Sequence, residues 1–222
     1  MALSGFESAR IGIYTDNTET IDKENIFTIE PKAKGSVVSA TISNLSPTIT
    51  PIYGSDQEWK AGSKGHGAIS VAFIANAIPQ EIRQKILGMA TFDGGISGIG
   101  KKTESPYCVF EMISHDATDE SIGAHLALVK GRFHLTTVAP KTNTNTTVYD
   151  QEQLTFSATD RDSDGFAYFE ALEDGKNYDA GKWETKIFGM PLTTDGATPA
   201  PSVPGTPAAP KASGTTGTPA QN

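Results

Sequence analysis

Cysteine is almost absent from this chain: Cys108 is the only one in 222 residues. No internal disulfide framework is therefore possible, and an oxidising compartment is not implied. Because Cys108 sits in the apolar run PYCVFEM, it is expected to be a buried, inert thiol. Long hydrophobic runs are missing too. No stretch approaches the roughly eighteen apolar residues of a membrane helix, and the opening MALSGFESARIG lacks the apolar core of a secretory signal. The expectation is a protein that has no membrane partner and stays in the cytosol unless it leaves inside a larger particle. Positive charge is scarce: 18 Lys and Arg face 26 Asp and Glu, giving a formal charge of −8 and an isoelectric point near 5.0. Such a surface does not bind nucleic acid by neutralising phosphates, a mode that needs clustered cations. It repels DNA, or more simply keeps the protein soluble.

The usual signatures of chemistry are missing as well. The four histidines, His66, His115, His125 and His134, form no HExxH pattern and stand beside no cysteine motif, so zinc has little support. His125 and His134 fall inside strand-like runs and read as satisfied sheet residues. There is no G-x-S-x-G elbow. The glycine-rich GSKGHG, residues 62–67, lacks the glycine spacing and the Gly-Lys-Ser/Thr of a phosphate-binding loop. DGGISGIG, residues 93–100, follows a helical segment and not a strand, so a dinucleotide reading fails. One partial motif remains. DRDSDG places Asp160, Asp162 and Asp164 at alternate positions before Gly165, as in the first half of a calcium loop, but Ala171 stands where the bidentate Glu belongs. The three carboxylates are a weak calcium candidate, and a solvated hairpin turn is the better reading. No enzyme, cofactor or catalytic residue is expected.

What is present is a core and a pattern. Apolar residues make up 37% of the chain, enough to fill a sizeable interior. Most of the sequence alternates with a period of two. In HGAISVAFIANAI, Ile69, Val71, Phe73 and Ala75 share one face; in PYCVFEMIS, Cys108, Phe110 and Met112 oppose Tyr107 and Val109. ENIFTIEPKAKG and SVVSATISNLS read as a hairpin joined by Pro31 to Gly35. SIGAHLALVKGRFHLTTV is nearly long enough for two strands, and VYDQEQLTFSATD and GFAYFEALED follow, joined by the turn from Asp160 to Gly165. Several strands are apolar or small on both faces, which suits strands covered on both sides. The composition changes near Thr194. From there to Asn222 the chain is rich in Pro, Thr, Ala and Gly and has Val203 as its one large aliphatic residue, so residues 194–222 are expected to be a flexible linker or tail beyond a β domain of residues 1–193.

One segment breaks the β pattern. IPQEIRQKILG predicts a short α-helix over about 79–87: Pro79 suits its start, Gly88 its left-handed end, and Glu81 and Lys85 complement the dipole as an i, i+4 pair. Ile78, Ile82, Ile86 and Leu87 form one apolar stripe. A helix of about nine residues is unstable alone in water, so that stripe is expected to pack on the sheet, sealing a face or end of a barrel. Its charged face, Glu81, Arg83 and Lys85, is left to solvent or to a neighbouring subunit.

Three segments in this order are similar to a known family. They are TPIYGSDQEWKAGSKGHGAISVAFIANAIPQEIRQKILGMATFDGG, then PYCVFEMIS, then LALVKGRFHLTTVAPKTNTNTTVYDQEQLTFSATDRDSDG. The chain resembles the major tail (tail tube) proteins of long non-contractile-tailed (siphovirus) bacteriophages of Gram-positive hosts, over roughly residues 1–193. The resemblance implies a mainly β fold, a barrel or sandwich with the short helix flanking it. It also implies hexameric rings that stack into the tail tube through which DNA is delivered, so that the chain's main partner is itself. Further partners would be the tape measure, tail terminator and distal tail proteins. DNA would pass as non-specific cargo through an acidic lumen, in a virion tail assembled in the host cytoplasm. In such proteins a long loop between early strands contacts the next ring. Here that loop is Ser46 to Gly65, with Tyr53, Asp56, Glu58, Trp59, Lys60 and Lys64 as the expected contact residues. The N-terminal arm, MALSGFESARIGIYTD, would make similar contacts. Two other readings stand beside this one: the tube of a contractile injection or type VI secretion machine, and a cell-surface carbohydrate-binding β module, suggested by the stalk-like tail and DRDSDG.

Overall fold

The computed structural model describes residues 2–15, 19–33, 35–140, 142, 150–174 and 178–189, with backbone alone for 33, 52, 54 and 58–61. The expected C-terminal linker, 194–222, lies outside the described residues. Among the described residues, twelve strands and two α-helices make a mainly β structure. Eight strands share one antiparallel sheet. Seven follow the order β2 (Ile26–Ile29), β1 (Leu3–Ile13), β9 (Cys108–Asp116), β10 (Gly123–Leu135), β11 (Glu152–Ala158), β6 (Ser70–Ala77), β3 (Ser36–Ser43), and β12 (Tyr168–Leu172) pairs with β10. The sheet curls so that β1 approaches β3 and Phe6 meets Phe73 of β6 edge-on at 6.3 Å. The rest of the interior is a chain of phenylalanines. Phe73 to Phe110, Phe110 to Phe133 and Phe133 to Phe156 lie 5.1, 5.2 and 4.8 Å apart, each pair worth about 1 kcal/mol beyond its buried area.

The alternation read from the sequence builds this barrel. Ile69, Val71, Phe73 and Ala75 are all buried, and Cys108, Phe110 and Met112 join the same core. Val109, one position out of phase, belongs to a second cluster on the other side of the sheet. The cover on that side is α2 (Ala180–Phe188), whose Trp183, Ile187 and Phe188 pack with Tyr14, Ile21, Ala127 and Val129. This helix was not expected; only one had been. Its signals are present in DAGKWETKIFG: the Asp179 side chain caps the Lys182 N–H, apolar residues recur four apart, and Gly189 ends it at φ 74°.

α1 spans Gln80–Ile86, slightly shorter than expected, with Pro79 one place ahead of the first turn and Gly88 in the left-handed conformation at φ 61°. Ile78, Ile82, Ile86 and Leu87 are all buried in the main core. Of the charged face, Arg83 lies 3.5 Å from Glu152 and Lys85 sits over the Phe27 ring at 4.6 Å.

Three sequence expectations about pairing are corrected. β2 and β3 do not form a hairpin: β2 pairs with β1 and β3 with β6, on opposite edges of the sheet. The N-terminal segment is not a free arm, because Leu3–Ile13 is β1, held between β2 and β9. The Asp-rich segment is not a hairpin turn either. β10 is one long strand that changes partner: Ala124–Leu128 pairs with β12 and Gly131–Leu135 with β11. β11 and β12 thus run end to end along β10, and residues 159–167 are an excursion between them. Gly131 marks the switch, where a Cβ would come 2.5 Å from the Phe156 ring and the Ser157 carbonyl.

Candidate assembly surface

The expected ring-contact loop is a β-hairpin. β4 (Thr50–Gly54) pairs with β5 (Gln57–Gly62) in a two-stranded sheet of their own. The turn is Ser55-Asp56, both at positive φ, 55° and 63°, the two-residue geometry that matches strand twist. Every described side chain from Thr50 to Gln57 is exposed; Tyr53 is 70% exposed and Ile49, just before the hairpin, 62%. Asp56 occupies the tip and Lys64 the exposed return. The side chains of Glu58, Trp59 and Lys60 lie outside the described residues. Ile49 and Tyr53 are thus large apolar side chains left exposed at this hairpin.

The base of this hairpin is tied to the Asp-rich excursion. His66 places Nε2 2.6 Å from the Asp160 carboxylate and Nδ1 2.6 Å from the Gly67 carbonyl. Both partners only accept, so the ring satisfies both as imidazolium, and the Gly67 carbonyl followed by Asp160 raises its pKa. Asp162 accepts from Lys130 Nζ at 2.6 Å. Asp164 accepts from Arg161 Nη2 at 2.5 Å and Lys186 Nζ at 2.8 Å. Each of the three carboxylates named as a calcium candidate thus engages a different cationic side chain. Among the described residues no group of three or more His, Cys, Asp or Glu is arranged to hold a metal ion. Glu19 completes the knot, accepting from Lys130 and from the N–H groups of Asp162 and Ser163. Desolvation opposes its charge, yet these donors bring its pKa down to about 2.

A second polar cluster lies between sheet and α2. Glu111, fully buried on β9, accepts from Arg10 Nη1 at 3.0 Å, His125 Nδ1 at 2.9 Å and Trp183 Nε1 at 2.6 Å. His125 Nε2 faces Glu173 Oε1 at 3.0 Å, and its ring stacks on Tyr178 at 5.4 Å. Arg10 also reaches Glu184 of α2 at 2.6 Å. Burial opposes both charges, but the His125 bond and Arg10 still lower the Glu111 pKa, while Glu111 and Glu173 raise that of His125. The cluster fastens α2 to the barrel. Cys108 is also buried, and desolvation pushes its thiol up to about 12, the unreactive form.

One exposed feature had no counterpart in the sequence reading. DGGISGIG is part of a hairpin, β7 (Ala90–Phe92) with β8 (Ile96–Gly98), whose turn holds Gly94 and Gly95 at φ 82° and 76°. Phe92, Ile96 and Ile99 are 62, 63 and 58% exposed. The pattern of short strand, DGG, short strand is a hairpin signature.

The described residues thus form a curled antiparallel sheet with α2 on one face and two hairpins projecting from it. The phage tail tube protein family model matches residues 1–191. The chain belongs to that family, whose members are structural proteins of the virion tail. No curated protein matches the chain. No described helix is long and apolar enough to cross a membrane.

Proposed function

We propose that this chain is the subunit of the tube of a long, non-contractile phage tail. Six copies close into a ring, rings stack, and the tube conducts DNA from capsid to host without turnover of any substrate. Membership of the tail tube family over residues 1–191 is the observation that carries this reading. The exposed β4–β5 hairpin, with Tyr53 and Asp56 outward, supports it as the element that reaches the next ring. The negative balance of the chain suits a lumen along which DNA slides without sticking. The tape measure, tail terminator and distal tail proteins are the partners this role requires, and a Gram-positive host is the setting the sequence resemblance favours. Residues 1–193 act as the tube domain and 194–222 as a C-terminal extension of it. Negative-stain microscopy of the purified protein tests the reading: rings and tubes are expected, and a strictly monomeric species at high concentration overturns it.

A further inference from the structure

The two hairpins leave β6 in opposite directions. β4–β5 precedes its Ser70 end; α1 and β7–β8 follow its Ala77 end, roughly 23 Å away at about 3.3 Å per residue. The same opposition holds across the sheet. Residues 88–104 lead into the Cys108 end of β9, whereas the turn carrying Asp116, Asp119 and Glu120 follows its Asp116 end. One end of the barrel therefore exposes Phe92, Asp93, Ile96, Ile99, Lys101 and Lys102, and the other an acidic turn and a hairpin tipped by Asp56, with Tyr53 beside it and Lys64 on its return. Phe92 and Ile96 are direct cross-strand partners. Ala90, Phe92, Ile99, Lys101 and Lys102 border a cleft of about 400 Å³, enough to admit an aromatic side chain.

We propose that the β7–β8 hairpin with Lys101 and Lys102 is the seat for the β4–β5 hairpin of a second copy stacked end to end, Tyr53 entering the cleft and Asp56 meeting the lysines. Complementary patches on opposite ends of one subunit give a heterologous contact, which does not close on itself and so propagates along an axis. The exposed apolar side chains at each end are desolvated together, and the charges that pair are of opposite sign. The chain's own C-terminal segment is a poor occupant, offering Val203 as its one large aliphatic residue. The inference rests on the tube reading and goes beyond it by naming the surface that receives the hairpin.

Cross-linking in trans is the test, since Cys108 is buried and leaves engineered thiols to report alone. Tyr53→Cys protein mixed with Ile99→Cys protein, oxidised under assembling conditions, should give a disulfide dimer that neither variant gives alone. Formation requires Cα atoms within about 7 Å. Separately, Phe92→Ser/Ile96→Ser should keep the wild-type circular dichroism and still form rings, while the concentration needed for tubes rises at least tenfold. Tubes that form without the mixed dimer, or a double variant that stacks at the wild-type concentration, overturn the seat and leave the tube reading intact. Wild-type protein that forms no tubes overturns the tube reading itself.

Discussion

Replacing Glu111 by alanine should be among the most damaging single changes available, although no part of the residue is visible from outside. Its carboxylate is fully buried and serves three donors on three elements: Arg10 of β1, His125 of β10 and the indole of Trp183 on α2. Removing it leaves an indole N–H and two charged groups without their shared acceptor. Breaking a buried ion pair from one side costs about 3–5 kcal/mol, a large share of the 5–15 kcal/mol that holds a typical domain folded. At about 2–4 °C per kcal/mol for a domain of this size, the melting temperature should fall by about 6–20 °C. Glu111→Gln, which keeps the volume and one acceptor oxygen, should fall in between wild type and alanine. The damage should appear first where α2 docks. In a Trp59→Phe background the remaining tryptophan is Trp183, and its emission should shift to the red in Glu111→Ala below the main transition. A fall of less than about 3 °C with unchanged emission would refute the claim that this cluster fastens the helix.

Stability should also respond to pH through the same cluster. The folded pKa of His125 is raised, so its contribution is complete below the ordinary value near 6.5 and is lost as pH climbs through the raised one. That of Glu111 is lowered, so its contribution is complete above 4.5 and is lost as pH falls through the lowered value. The melting temperature should therefore peak in mildly acid buffer, and His125→Gln should flatten the alkaline side of the profile. Ile82→Asp puts a charge into the buried stripe of α1 and should cost several kcal/mol, read by chemical denaturation; a variant that folds and assembles normally would remove α1 from the core. Gly88→Ala should cost at least about 2 kcal/mol, because its φ is 61° and a Cβ would lie 2.1 Å from the Glu104 carbonyl. Gly94→Ala, at φ 82° with nothing within 4 Å, is the control and should lose only about 1 kcal/mol in the same denaturation assay.

The faces of strands were legible because a period of two survives wherever one side is buried: Ile69, Val71, Phe73 and Ala75 could be assigned together without knowing what they touch. Pairing was not legible, because it is decided by residues far apart. PKAKG is good turn chemistry, but turn chemistry brings a chain around without saying which strand it returns to, and β2 and β3 return to opposite edges. DRDSDG misled in the same way. It is polar and tightly turned, yet the strands on either side of it lie in line along β10, a relation fixed by the partner switch at Gly131. The helix α2 was within reach, since a capping Asp, Trp183 and Ile187 four apart and a closing Gly carry the usual signature. Glu111 showed only as a lone acid in an apolar strand. Its partners lie 101, 14 and 72 residues away, and no local pattern encodes such a meeting.

The charge balance sets a condition on assembly that the proposed end-to-end contact has to meet. Copies carrying −8 each repel when brought together. At physiological ionic strength charges more than about 8–10 Å apart are largely screened, so the net charge of a distant subunit matters little and the groups at the joint decide. A joint where acid met acid would remain repulsive at that range. In the proposed joint Lys101 and Lys102 outnumber Asp93 on the receiving side and face Asp56, so the local sign is opposite where screening is weakest. In the proposed tube, acidic residues away from this joint would add to the repulsion of DNA phosphates.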